Sequence, residues 1–449
     1  MALTRDPPQR LAVTVTVGLL AVITGALISV HPAFAVLALA AWIPIVITRH
    51  VRYMAYILAA SLGVNVTVFS DPVHLSLPQV AGVLLVIAVG VRVAVRLLPT
   101  HRGGAWWPWS GFLFAAAALP AVVTAVFVQE ALIGVAQLVL VASVIYAATR
   151  LLTAYPGAVE PTLRVVAIAA MVSVLPALVQ SGFSVGPESF IRSGMMRAYS
   201  TYGQPNSYGH YLAAMVPLFL GLATDNKRFI LPLTLTTIAL LLTLSRGAIA
   251  ATALGTGFFL LAHQLRSGSR GLGSLVAIAS VLGLAAMLLV PSQVVTKLVD
   301  FGDWSVQQRG LALLSSWTAI LDRPFLGYGP GAFKMLRPGI ALSGLVDDVE
   351  MPHNFPIEIW LELGFLALAC FLTLVVLYYA VTLRGYWRSR DVTLAALAAG
   401  FTGLLAASLT GSLLIRGVEE TFALIVALTA ARLAAIRNAS PANAHSIPV

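Results

Sequence analysis

Runs of apolar residues, each long enough to cross the ~30 Å hydrocarbon core of a bilayer as a helix, recur along nearly the whole chain. Short clusters of charge, Gly and Pro separate them. The pattern predicts helices over 11–30, 33–48, 53–69, 77–98, 110–128, 131–149 and 161–180. It continues with 207–223, 229–244, 247–264, 272–290, 355–383, 392–413 and 418–431. Two of these, 229–244 and 247–264, are short enough to bend back as a pair instead of each crossing. Backbone polar groups in lipid have to be satisfied within the spanning element, and the two-residue alternation of barrel strands is missing. The expected fold is therefore all-α: a polytopic integral membrane protein of about 12–14 transmembrane helices, forming one membrane domain over 1–449. Its largest connection is 291–354, and an amphipathic stretch at 308–321 places Leu311, Leu314 and Trp317 on one side, as in a helix lying on a leaflet.

Composition agrees and narrows the choices. Hydrophobic residues make up 59% of the chain and charged ones 10%, which excludes an ordinary soluble domain. Cys370 is the single cysteine and lies in an apolar run, so neither a disulfide framework nor a thiolate metal cluster is available. The net charge of +10 reads as topology, and nucleic acid is not an expected partner. With the N-terminus inside, every inner connection is basic, from Arg5 and Arg10 through Arg49, Arg92, Arg150 and Lys227 to Arg388 and Arg432. The connections after Val30, Phe69 and Val128 carry no Lys or Arg, and 291–354 falls on the extracytoplasmic side. Ala33-Phe34-Ala35 is similar to a signal-peptidase site, but the run before it is longer than a signal peptide's apolar core, so an uncleaved first span is expected.

The basic residues that break this bias point to chemistry. Arg192, Arg197, Arg246, Lys297, Arg309, Arg323, Lys334, Arg337 and Arg416 lie outside or at outer helix ends. Cations kept there against the topology rule suit an anionic ligand, although loop solvation accounts for about half of them. Arg246 is the exception: it sits between two apolar runs with almost no polar loop, where a charge is costly unless it serves a site. His353 stands at the mouth of the 355–383 span, where a neutral imidazole can accept a proton from a hydroxyl. A lone histidine is more often structural, and His210, on an apolar span, fits that description. Asp347, Asp348 and Glu350 offer oxygen ligands for a divalent ion, but a solvated acidic turn explains them better.

Four segments carry a family resemblance. They are Arg197 followed by Gly203-Gln-Pro205-Asn206, then Ser245-Arg246-Gly247, then Arg309 and Trp317 with Arg323-Pro-Phe-Leu-Gly327-Tyr328-Gly329, then Pro352-His353-Asn354 leading to Glu362-Leu-Gly364. Over residues 190–370 the chain resembles the O-antigen ligase and O-antigen polymerase superfamily of bacterial membrane glycosyltransferases. The N-terminal third matches only as a series of helices. The count of about fourteen spans exceeds the roughly twelve typical of family ligases.

The resemblance implies a glycosyltransferase-C-type helical fold with a catalytic segment at 190–370. It implies transfer of a glycan from a polyprenyl (undecaprenyl) diphosphate donor to an acceptor hydroxyl, without a metal or other cofactor and with inversion. By position, Arg246 and Arg309 face the diphosphate and His353 is the general base. Arg197, Asn206, Tyr328, Asn354 and Glu362 are the expected substrate-binding or supporting residues. The expected partners are the lipid-linked donor, a glycan or lipid acceptor and membrane lipids. The expected location is the bacterial inner (cytoplasmic) membrane, multi-pass, with the site extracytoplasmic. Rival readings are a flippase for lipid-linked oligosaccharides, a glycan polymerase, a peptidoglycan polymerase using Asp347, Asp348 or Glu350, and a metal-dependent transferase. No repeat relates the two halves as many transporters require, and the first outer connection, around His31-Pro32, lacks the acidic ligands of a metal-dependent enzyme.

Overall fold

A computed structural model describes residues 50–69, 75–95, 98, 109–192, 194–267, 304–340, 351–414 and 417–439. The expected spans 11–30, 33–48 and 272–290 lie outside these residues, as do Lys297, Asp347, Asp348, Glu350 and Arg416. Fourteen helices follow in chain order, numbered here among the described residues. They are α1 (Tyr53–Ser61), α2 (Leu77–Ala94), α3 (Ser110–Ala117), α4 (Leu119–Val123), α5 (Val128–Ala154), α6 (Val159–Phe183) and α7 (Pro205–Asp225). Then come α8 (Ile230–Leu242), α9 (Arg246–Ser267), α10 (Trp304–Asp322), α11 (Ala332–Ile340), α12 (Phe355–Ser389), α13 (Val392–Ser408) and α14 (Val418–Ala439). The described strands are two minimal antiparallel pairs, Thr67–Phe69 with Leu75–Ser76 and Ile191–Arg192 with Met195–Met196. Among the described residues, six helices are long and apolar enough to cross a membrane, and the chain is an all-α polytopic membrane protein.

The apolar pattern located these helices well but misjudged two lengths. The 53–69 run is helical only to Ser61, because the chain turns at Gly63 and then pairs as a strand with Leu75–Ser76. The 110–128 run is two short helices, α3 and α4, with Pro120 in the first turn of the second. The 229–244 and 247–264 runs are separate helices, α8 and α9, broken at Thr243–Ser245 where Leu244 takes a φ of 51°. The amphipathic stretch is α10. It buries Ala312, Ser315, Ser316 and Ile320 and leaves Leu314, Trp317 and Leu321 exposed, an apolar strip on its outer side.

Helix starts follow their local chemistry. Ser76 and Gln79 form a reciprocal capping box at α2, satisfying two otherwise orphaned amides. Asn354 caps α12 through Ile357 N at 3.2 Å, with Pro356 in the first turn. A non-helical Gly364 (φ 83°) kinks α12 about two and a half turns below its mouth. The kink lets residues 325–329 lie against the helix, with Tyr328 N on Leu361 O at 3.1 Å and Gly329 N on Glu362 O at 2.8 Å.

At the centre of the bundle α7, α9 and α13 pack against one another. Small residues permit the approach: Gly403 meets the Ala213 carbonyl, Gly400 that of Ala214, and Gly255 that of Ala399. Close backbone contact through small residues is how membrane helices associate when lipid removes the hydrophobic drive between them. Gly403→Val sets a side chain directly on Ala213 O. It is expected to cost about 1–3 kcal/mol, seen as a lower unfolding temperature in detergent.

Candidate active site

The ends of α7, α9 and α12 that begin with Asn206, Arg246 and the His353-Asn354 pair meet at one end of this bundle. Their approach starts from the segment before α7. Gln180 of α6 clamps it, accepting from Tyr199 N (3.0 Å) and Ser200 N (2.7 Å) and donating to Ser200 O (2.9 Å). Tyr202 donates to Leu62 O at 2.7 Å and Ala198 N to Leu242 O at 2.8 Å. Thus anchored, Arg197 reaches inward. Its Nε donates to Thr243 O at 2.9 Å and a terminal nitrogen to Asn206 Oδ1 at 2.8 Å. Ser245 Oγ donates to the same Asn206 oxygen at 3.2 Å. Asn206 therefore ties Arg197 to the Ser245-Arg246-Gly247 turn, and Arg246 opens α9.

The α13–α14 connection stitches this group to the histidine. Gly247 lies against Thr410, Gly411 lies against the His210 ring, and Asn354 Nδ2 donates to Leu409 O at 3.3 Å. Ser412 Oγ donates to Glu358 Oε1 at 3.0 Å, one turn below the His353-Asn354 mouth. Residues 409–412 thus touch α7, α9 and α12 at once. His210 is buried, bonds the Ser412 backbone, and lies within electrostatic reach of both Arg309 and His353. That brings α10, through Arg309, to the same place.

His353 holds a φ of 55°, and Ser200 (49°) and Leu244 (51°) share this left-handed backbone. Such conformations are unfavourable for residues other than glycine and mark segments whose surroundings fix them. These three flank Arg197, Arg246 and the start of α12. Burial, reinforced by the positive charge of Arg309, pushes the His353 imidazole down to about 4. At neutral pH it is uncharged and able to accept a proton.

The other expected residues occupy supporting positions. Glu362 accepts from Gly331 N (2.8 Å) and Phe333 N (3.2 Å), so its carboxylate sits at the N-terminus of α11, where negative charge is favoured. Tyr328 donates to Asp322 Oδ2 at 2.7 Å and stacks under Arg323, whose guanidinium carbon is 4.8 Å from the ring centre. Its ring packs with Ala312, Ile320, Phe333 and Leu361, in a small cluster that seats α10 and α11 on α12. Tyr328 and Glu362 help seat α10, which carries Arg309, and α11 on α12; Arg197, Asn206, Arg246, Arg309, His353 and Asn354 gather around the 409–412 turn. Sequence reasoning passed over Thr410, Ser412 and Glu358. The available signal was small: a Thr-Gly-Ser run ending a span, and a carboxylate one turn after a cap. Among the described residues, no group of three or more His, Cys, Asp or Glu side chains could hold a metal.

No curated protein sequence matches the chain. Residues 231–372 match the family described as O-antigen ligase, a stretch that runs from α8 through Arg246, Arg309 and His353 to the middle of α12. Over this segment, about a third of its length, the chain is similar to the O-antigen ligase family.

Proposed function

We propose that the protein transfers a glycan from a polyprenyl diphosphate carrier to an acceptor hydroxyl on the extracytoplasmic face of the bacterial inner membrane. The observation that carries this reading is the convergence of Arg246 and Arg309 with a neutral His353 around the 409–412 turn. Guanidinium forks pair bidentately with phosphate oxygens, so Arg246 and Arg309 bind the diphosphate and offset the negative charge that grows as it leaves. The acceptor oxygen attacks the anomeric carbon from the opposite side, the bond to the diphosphate breaks, and His353 takes the hydroxyl proton. Inversion follows from that single displacement. Arg197 supports the diphosphate end through Asn206, and Asn354 fixes the backbone that aims His353. A small cavity lined by Phe114, Leu138, Phe355, Phe371, Leu413 and Glu419 adjoins the start of α12, too small to take a polyprenyl tail.

Two measurements test the reading. Transfer from purified carrier-linked glycan is expected to persist in excess EDTA, because arginines neutralise the leaving group; activity lost to EDTA and restored by Mg²⁺ would assign that role to a metal. A single cysteine at position 309 in a Cys370→Ser background is expected to react with an impermeant thiol reagent outside spheroplasts, and one at 389 is not. Labelling at 389 alone reverses the topology.

A further inference from the structure

A second polar cluster lies at the start of α14, and the proposed transfer makes no use of it. Glu419 and Glu420 stand in the first turn of α14 and are 4% and 1% exposed. Gln79 donates to Glu419 Oε1 at 2.6 Å, and its own carbonyl is taken by Ser76 N, so the orientation of that amide is fixed. Glu419 Oε2 and both Glu420 oxygens are buried with no hydrogen-bond partner among the described residues. Asn65 is 3% exposed, and among the described residues neither its Oδ1 nor its Nδ2 has a hydrogen-bond partner. Its amide lies against Gly417 at the head of α14, where an added Cβ would stand 2.9 Å from Oδ1. The Asn65 backbone N donates to Thr201 Oγ1 at 2.9 Å, and neighbouring Tyr202 lies within electrostatic reach of both carboxylates. Gln79 and the backbone at Gly417 and Glu419 act on Glu419, and Glu419 and its own backbone act on Glu420.

Two adjacent carboxylates so placed are strongly unfavourable as anions unless a bound cation or bound protons neutralise them. The unpartnered atoms are mostly oxygens, one of them a neutral amide oxygen, which is the donor set of a hard cation. Two carboxylates fall short of a dedicated divalent cage, which uses six or more oxygens. We infer that Glu419, Glu420 and Asn65 form a buried site for a monovalent alkali cation. The ion joins α14 to the 62–66 segment and, through Thr201, to the stretch that carries Arg197 and Asn206.

The test uses the purified full-length protein in detergent at fixed pH, with choline chloride holding ionic strength constant. Sodium chloride, and separately potassium chloride, replaces the choline. A saturable rise in unfolding temperature with at least one of the two ions, and saturable binding of the matching labelled ion displaced by its unlabelled form, are expected. Glu419→Gln and Glu420→Gln keep the side-chain shape and remove the charge. Each is expected to fold and to lose about tenfold or more in ion affinity. Arg416→Gln, three residues from Glu419, is expected to leave binding intact. Equal stability in all three salts with no labelled-ion binding overturns the proposal, as does ion binding that survives both Gln substitutions. Binding seen only in Arg416→Gln also overturns it, by making that arginine the counter-charge. These readouts involve no glycan, so they stand or fall separately from the proposed transfer.

Discussion

His353→Ala is expected to lower the single-turnover rate of glycan transfer by about 10²–10⁴-fold, the usual cost of removing a general base. Donor affinity should stay close to that of the unmodified protein, because the imidazole handles the acceptor's proton and makes no contact required by the diphosphate. The pH profile carries a second signature. His353 is held down at about 4 by burial and Arg309, so the working, neutral form persists well below the ordinary histidine value of about 6.5. The acid limb of the rate profile should therefore fall near pH 4. Arg309→Ala removes one of the two causes, and the acid limb should move upward toward 6.5. Stability has the same origin. Between about 6.5 and 4 the unfolded chain takes up a proton that the folded chain refuses, so the folded state loses stability as pH drops through that window. An unchanged transfer rate in His353→Ala would leave the histidine as a helix-end residue and nothing more.

Arg246→Ala and Arg309→Ala should weaken donor binding as well as turnover. A lost charge-assisted hydrogen bond is worth roughly 1.5–3 kcal/mol, or about 10–150-fold in affinity. Arg246→Lys should restore only part of the loss, since a point charge cannot reproduce the planar fork. Donor binding and single-turnover transfer, measured on the same preparations after gel filtration in detergent, separate this effect from that of His353→Ala. Arg246 opens α9 two residues after the strained Leu244, and Gly247 packs on Thr410. A bulkier neighbour would therefore misplace the arginine without touching its charge.

The sequence made the membrane class and most helices legible because an apolar run in lipid has few alternatives to a helix. It overstated the first described helix because hydropathy continues through Val64 and Val66, while Gly63 and the pairing of Thr67–Phe69 end the helix. It also joined α3 and α4, since hydropathy is blind to the break that precedes Pro120. Arg246, Arg309 and His353 stood out in the sequence as two cations and an imidazole near the ends of apolar runs. What joins them did not. Asn354 meets Leu409 across 55 positions and Ser412 meets Glu358 across 54, contacts that no local pattern encodes. Glu362 was read as support for its own helix end; the fold instead gives it to the amides of Gly331 and Phe333, reached only because Gly364 kinks α12. His210 looked like a core residue of an apolar span. It is buried, but at the end of that span where Arg309 and His353 arrive.

The central claim is that the chain breaks and remakes a glycosidic bond. Its most direct test is reconstitution of the purified protein in vesicles with a polyprenyl-diphosphate-linked glycan and an acceptor glycolipid, followed by mass analysis of the lipids. The account predicts a heavier, glycan-bearing acceptor together with free polyprenyl diphosphate in equal amount, both missing when His353→Ala or Arg246→Ala replaces the unmodified protein. Carrier-linked glycan that crosses to the other leaflet chemically unaltered, with no free polyprenyl diphosphate, would contradict it and make the protein a flippase.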